Sequence, residues 1–202
     1  MKLYYARESR AVRVAWVLEE LRLEYDIHKF SLGDRSMREP EYLSLHPMGR
    51  VPTLEDGKIR LFESGAIVQY ILEKYGNGRF VPQSSNSNFA SYLQWFHYAE
   101  GMIMPPMNTL VVETIMLPPE RRTEVNIKRA SKLLNQMLYA VNENLSDKAY
   151  LVGPEITAAE FMTGHAVIMS QRLGIDMQDK PYLIEYIKRL ETRDAFIKAS
   201  NK

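Results

Sequence analysis

Residues 49–66, GRVPTLEDGKIRLFESGA, constrain the fold more than any other stretch. Two short apolar runs, residues 53–55 and 59–62, are divided by Asp56-Gly57. Asp-Gly between such runs signals a β-hairpin, because both central turn residues need positive φ. Pro52 offers no N–H to a ladder and so belongs at a strand start or edge. The second strand runs directly into Glu63-Ser64-Gly65-Ala66 and the apolar residues Ile67, Val68, Ile71 and Leu72, which read as a helix with Ser64 as N-cap. A strand that feeds a helix start places backbone N–H groups and the positive end of a dipole at one edge of a small sheet. Such an end accepts a carboxylate. The stretch therefore reads as a binding cradle.

The 202 residues suffice for one large domain or two small ones, each able to bury a core. With 46% hydrophobic and 25% charged residues the composition is that of a globular protein. The net charge of +1 lacks the basic excess expected of a nucleic-acid binder. No apolar run approaches the roughly 18 residues of a membrane span, and the N-terminus lacks the apolar core of a signal peptide. Cysteine is absent, which removes disulfides, thiolate metal sites and any cysteine nucleophile, and fits a reducing, cytoplasmic setting. No His, Asp and Glu spacing suggests a metal.

Residues 2–5 form a strand candidate, followed by a polar loop over residues 6–9. Val14, Val17, Leu18 and Leu21 then recur at helical spacing, and residues 25–30 alternate as a second strand. Strand, helix and strand within thirty residues imply a βαβ unit with a parallel pair. A loop with a short helix over residues 40–45 leads to the hairpin and its helix. Residues 76–88 are rich in Gly, Asn, Ser and Pro and mark a linker. Beyond it no strand is expected. A helix with an aromatic stripe (Phe89, Tyr92, Phe96) runs to Pro105-Pro106, which interrupts it, and resumes until Pro118-Pro119. A strong amphipathic helix covers residues 127–145. Thr157 and Glu160 form a capping box for a helix ending at Gly174, and a last helix follows Pro181. His97 and His165 read as packing residues and His46 as a loop residue.

The order of these elements and four sets of residues resemble the glutathione transferase family over the whole chain. The sets are Ser9-Arg10 with Arg13-Val14 and residues 18–21 (LEEL); residues 46–52 (HPMGRVP); Glu63-Ser64; and residues 153–160. Tyr98-Ala-Glu-Gly101 followed by Pro105-Pro106 is similar to a group of bacterial and fungal transferases. The resemblance implies a thioredoxin-like βαβαββα domain over residues 1–79, a linker over 80–88 and an all-helical domain over 89–202 that lines the electrophile site. It implies glutathione as cosubstrate, an apolar electrophile, detoxification chemistry and a homodimer, with no nucleic-acid, membrane or metal partner. In the family the residue before a cis-proline pairs with the backbone of the glutathione cysteine. Val51 and Pro52 match that pair, and only a cis bond would turn the Val51 N–H and C=O outward together to extend a peptide as an added strand.

Glu63 and the Ser64 N–H are expected to hold the two charges of the γ-glutamyl end. Arg50, Arg35 or Arg38 would meet the glycine carboxylate. A thiol with a pKa of about 8.5 is a few per cent thiolate at neutral pH. Lowering it by two units takes about 2.7 kcal/mol of preferential thiolate stabilisation. A hydroxyl near a helix start can supply much of this. Ser9 matches the serine of the serine-type classes; Tyr5 is the tyrosine-type alternative and Arg10 a third candidate. Residue type alone gives Ser9 an N-cap role and Tyr5 a strand role. A cysteine-type enzyme is excluded by Ser9, Arg10 and Ala11 at the matching positions. Arg7-Glu8 departs from the Pro-Gly of many relatives, and Arg22 stands where many end the first helix with Gly. Tyr98 with Met102, Met104 and Met107 suits a promiscuous apolar pocket as well as a core. Glu100 reads equally as a solvated charge and as a residue reaching a neighbouring subunit's glutathione. The same thiolate would serve a glutathione-dependent peroxidase or disulfide reductase. A transferase-fold binding or regulatory protein without turnover is the alternative from another class.

Overall fold

Strand β1 (Lys2–Ala6) is buried from Leu3 onward, and helix α1 (Ala11–Leu21) buries every residue from Ala11 to Leu18. A strand and helix this apolar must lie inside an α/β layer rather than on its surface. Strand β2 (Asp26–Phe30) pairs parallel to β1, which completes the βαβ unit. A 3-10 turn (Arg35–Arg38) and α2 (Pro40–Leu43) follow, then β3 (Thr53–Asp56), β4 (Ile59–Phe62) and α3 (Ser64–Tyr75). The sheet order is β2-β1-β3-β4, with β3 antiparallel to both β1 and β4. This computed structural model describes all 202 residues, Met1–Lys202.

The hairpin lies where expected, but its turn is shifted by one residue. Asp56 pairs with Ile59, so the two turn residues are Gly57 and Lys58. Of these Gly57 takes a positive φ, 61°, as a first turn residue does in a type II′ hairpin. Asp56 stays in the ladder because its carboxylate is engaged by α3: it accepts from Tyr70 Oη at 2.7 Å, Lys74 Nζ at 2.9 Å and Tyr75 Oη. These three donors hold the carboxyl well below the ordinary carboxylate range.

The chain divides into two units, Met1–Val81 with Glu191–Lys202, and Pro82–Leu190. The second has helices and no strand, with α4 (Phe89–Tyr98), α5 (Met104–Val111), α6 (Glu124–Asn144), α7 (His165–Arg172) and α8 (Pro181–Glu191). Pro105-Pro106 does not break the helical path. A π-helical turn (Ala99–Ile103) precedes it, and Pro105 and Pro106 fall in the first turn of α5, where proline is tolerated. The core gathers Tyr92, Trp95, Phe96, Leu134, Leu138, Val141, Phe161, Tyr186 and Ile187, all at most 5% exposed. No helix is long and apolar enough to cross a membrane.

Helix α9 (Asp194–Ser200) belongs to the first unit, whereas the sequence reading gave residues 191–202 to the helical domain. The reason is a dense set of contacts with α1 and β1. Phe196 packs edge-on against Trp16, ring centroids 4.8 Å apart. Arg193 meets Glu20 in a two-pronged ion pair of 2.8 and 3.0 Å, and Lys202 pairs with Glu19. These residues lie more than 170 positions apart, a separation no local pattern reports.

Candidate functional site

The cradle is assembled from three segments of the first unit. The first is the loop from β1 to α1. Ser9 Oγ donates to the Ala6 carbonyl at 2.7 Å and accepts the Ala11 N–H at 3.1 Å, so it caps α1 from one position before the N-cap residue Arg10. Ser9 and Arg10 are half-buried at the loop surface. Tyr5 is different: it is fully buried and its hydroxyl donates to the Ala199 carbonyl of α9 at 2.9 Å. The tyrosine-type alternative does not fit this placement, because the one phenolic proton is directed into the α1–α9 packing.

The second segment is the turn before β3. The Val51–Pro52 bond is cis. Strand β3 is interior to the sheet, so the expected open strand edge is not β3 itself. Its pairing with both β1 and β4 stops at Thr53, which leaves the Val51 backbone beyond both ladders. Val51 is half-buried. The turn rests on a small cluster of Tyr4, Met37 and Tyr42, flanked by Phe30, Leu45 and Val51. Tyr42 Oη donates to the Arg50 carbonyl at 2.7 Å and lies 3.0 Å from Thr53 Oγ1; burial pushes this phenol up to about 12. Gly49 has φ 52°, and a Cβ there would stand 2.1 Å from the Met37 carbonyl oxygen, so only glycine passes. Arg38 donates to the Met48 carbonyl at 2.7 Å, while the side chains of Arg35 and Arg50 are exposed. Arg38 thus serves the turn itself.

The third segment is the start of α3. Glu63, not Ser64, is the N-cap residue, and it supplies no side-chain cap. Arg13, fully buried in α1, donates to Ser64 Oγ at 3.1 Å and so turns that hydroxyl inward, away from a capping position. Glu63 is exposed and held at φ 74°, ψ 109°, a positive-φ conformation that non-glycine residues avoid. The first amides of α3 therefore carry neither an intrahelical partner nor a side-chain cap. An exposed carboxylate beside open amides can hold an ammonium and a carboxylate together, the pair found at an α-amino acid end.

Two residues of the cradle were legible only in part. For Arg13 the sequence signal is a lone cation on the apolar face of α1, and the sequence alone assigns it no role. His46, read as a loop residue, is 6% exposed, its ring centroid 4.9 Å from that of Phe62. In the helical unit Glu100 and Met102 are exposed within the π-helical turn. Met104 and Met107 are core residues, and Ser170 Oγ meets Met107 Sδ at 3.4 Å. Tyr98 is half-buried and donates to the Met137 carbonyl. His165 is buried as expected, but His97 is exposed and touches Phe96 only at the ring edge. No group of three or more His, Asp and Glu side chains is arranged to hold a metal ion.

Known proteins share both units. The family description "Glutathione S-transferase, N-terminal domain" matches residues 1–73, and "Glutathione S-transferase, C-terminal domain" matches residues 103–194. Glutathione S-transferase 4 of Zea mays is 30% identical, over 73% of this chain and 67% of its own. Glutathione S-transferase 1 of Saccharomyces cerevisiae is 25% identical over 100% of this chain and 94% of its own. Among solved structures, the theta class glutathione S-transferase of Xanthomonas axonopodis pv. citri with glutathione bound superposes with a TM-score of 0.87. It is 25% identical and the match covers 100% of this chain and 97% of that one. On the sequence, the fold and the arrangement of the cradle together, the chain belongs to the glutathione S-transferase family.

Proposed function

We propose that the protein is a glutathione transferase whose first unit binds glutathione and activates its thiol for attack on an apolar electrophile. The observation that carries this reading is the start of α3: Glu63 exposed at φ 74° beside uncapped amides, with the Ser64 hydroxyl drawn inward by Arg13. A strained and uncapped helix start is maintained where a ligand completes it. Glu63 takes the α-ammonium of the γ-glutamyl end and the Ser64 N–H its carboxylate. The Val51 N–H and C=O, beyond both ladders and next to Pro52, pair with the cysteine backbone of the peptide. Arg50 or Arg35 meets the glycine carboxylate.

Ser9 is the thiolate donor in this reading. Its one proton rests on the Ala6 carbonyl, and rotation about the Cβ–Oγ bond redirects it to sulfur while the Ala11 N–H still donates to Oγ. A hydroxyl already accepting one hydrogen bond is a stronger donor to an anion. Arg10 at the same helix start adds positive charge. The thiolate then adds to the electrophile as a bound nucleophile. A homodimer working in the cytoplasm completes the reading, and sedimentation of the full chain tests the dimer.

Calorimetric titration tests the binding step. Glutathione should bind, and cysteinylglycine, which lacks the γ-glutamyl end, should bind at least tenfold more weakly. Failure to bind glutathione at millimolar concentration overturns the reading. Turnover of an apolar aryl halide against turnover of a hydroperoxide then assigns the reaction.

A further inference from the structure

His46 opens the turn that carries the Val51 backbone, and its side chain has a specific task there. The turn is fixed on both sides by backbone bonds: the His46 N–H donates to the Tyr42 carbonyl at 2.9 Å, and the Gly49 N–H donates to the His46 carbonyl at 2.8 Å. Inside this turn the Met48 N–H points at the imidazole, and His46 Nδ1 accepts it at 3.2 Å. A side-chain acceptor for the N–H two residues on is the arrangement that Asn and Asp make in their own turns. Here it requires the ring to be neutral, with its proton on Nε2, because a protonated ring has no lone pair to offer.

We propose that His46 is a positioning residue for glutathione binding: its neutral ring holds the 46–49 turn through Nδ1, and protonation releases the turn that presents Val51. The inference rests on the glutathione reading above. It makes glutathione affinity fall on acidification for a reason that lies in the protein and not in the thiol.

The groups around the ring set the direction. Phe62, at the end of β4, covers it with centroids 4.9 Å apart. Burial beneath Phe62 lowers its pKa and is the largest influence; the Glu63 carboxylate at the entrance to α3 raises it, and Arg50 on the same loop lowers it. The net shift is below the ordinary value of 6.5. Because the folded-state value lies below 6.5, the ring is still neutral and the turn intact at pH 6.5, and the turn opens as pH falls through that lowered value. The same electrostatics link the ring to the clamp. A bound γ-glutamyl ammonium neutralises Glu63, which removes the larger of the two influences that favour protonation, the other being a backbone hydrogen bond at His46 itself, and so strengthens the turn when the ligand is present.

Two variants separate this role from simple packing. His46→Asn keeps an acceptor within reach of the Met48 N–H and does not titrate. His46→Ala removes the acceptor. The probe is S-methylglutathione, which has no thiol. Between about pH 5 and 7 its carboxylates stay ionised and its amino group protonated. Calorimetry should show the wild-type affinity falling by about 3- to 10-fold over this range, the equivalent of one lost hydrogen bond. His46→Asn should bind with little dependence on pH, and His46→Ala should bind weakly throughout. In the unliganded protein, nitrogen NMR should find His46 as the Nε2–H tautomer above pH 6.5, with the Met48 amide resonance moving as the ring protonates. A wild type and a His46→Asn variant with the same pH dependence, or a His46 ring protonated on Nδ1 at neutral pH, would overturn the positioning role. Absence of S-methylglutathione binding at pH 7 would instead overturn the glutathione reading, and the NMR measurement would still decide the turn.

Discussion

Two helix starts in this molecule are each met by a fully buried charged side chain, with opposite consequences. At the start of α3, Arg13 takes the Ser64 hydroxyl away from the cap, and Glu63 points into solvent from a strained backbone. At the Thr157 helix start in the other unit, Glu160 gathers four donors. Its carboxylate accepts the Thr157 N–H at 2.8 Å, the Thr157 hydroxyl at 3.0 Å, the Leu151 N–H at 2.7 Å and the Tyr186 hydroxyl at 3.3 Å. The Thr157 hydroxyl in turn accepts the Ala159 N–H. The first start is left incomplete and the second is completed by the protein itself. The difference separates an end left open to a ligand from one the protein closes itself. A helix dipole offers the same field at both, but only an uncapped end has amides to give to a ligand.

Removing each carboxylate should therefore move different quantities. Glu160→Ala leaves the Leu151 and Thr157 donors buried without an acceptor, and it should destabilise the protein by about 3–5 kcal/mol. Urea unfolding monitored by circular dichroism reads this loss, and glutathione affinity in the remaining folded fraction should be unchanged. A loss under about 1 kcal/mol would mean that water satisfies those donors and that the two helix starts are less different than their geometry implies.

Glu63→Gly should do the reverse. Glycine adopts φ 74° readily, so thermal stability should rise by about 1 kcal/mol. Glutathione affinity should fall by about 10- to 100-fold, since one charge-assisted contact is lost. A stability gain without an affinity loss would remove Glu63 from the clamp.

How much of this contrast the sequence carries depends on the range of the interactions. The capping box is a four-residue pattern, so Thr157 and Glu160 were legible, although the reach of Glu160 to Leu151 and Tyr186 was not. The strand and helix order of the first unit follows from apolar periodicity, and the Asp56-Gly57 signal placed the hairpin to within one residue. The inward turn of the Ser64 hydroxyl depends on Arg13, 51 residues away, and the return of α9 to α1 depends on partners 173 residues apart. His46 shows a third kind of gap. Its partner, the Met48 N–H, is only two residues away, but imidazole is not a residue type that local turn patterns single out.

Acid titration of stability probes the closed end. Burial pushes the Glu160 carboxyl up to about 6, against the pull of its four donors. A folded-state value above the unfolded one means that the folded protein holds its proton more tightly. Stability from this group is present below about pH 4.5 and is lost as pH rises through about 6. The change amounts to about 2 kcal/mol. Unfolding midpoints measured across this range should show that fall, and Glu160→Gln, which cannot titrate, should flatten it. A midpoint that rises with pH in both proteins would assign the titration to other groups.

The smallest effect tests whether the start of α1 resembles the open end or the closed one. Ser9 satisfies the Ala11 N–H, as a cap does, yet its own proton rests on a carbonyl from which it can be redirected. Ser9→Ala removes the cap and the donor together. The cap is worth at most about 1 kcal/mol of stability, since the residue is half-buried and water replaces it. The donor should matter only with glutathione bound. Thiolate absorbance of the complex should then titrate about one unit higher in the variant, the equivalent of about 1.4 kcal/mol, with affinity changed less than threefold. Catalytic rate at pH 7 would fall by about threefold, the loss of thiolate when a pKa of about 6.5 becomes about 7.5, and raising the pH would restore it. An unchanged thiol pKa combined with the small stability loss would make Ser9 a cap and nothing more. Arg10 would then be left as the group that holds the thiolate, because Tyr5 has already spent its proton on Ala199.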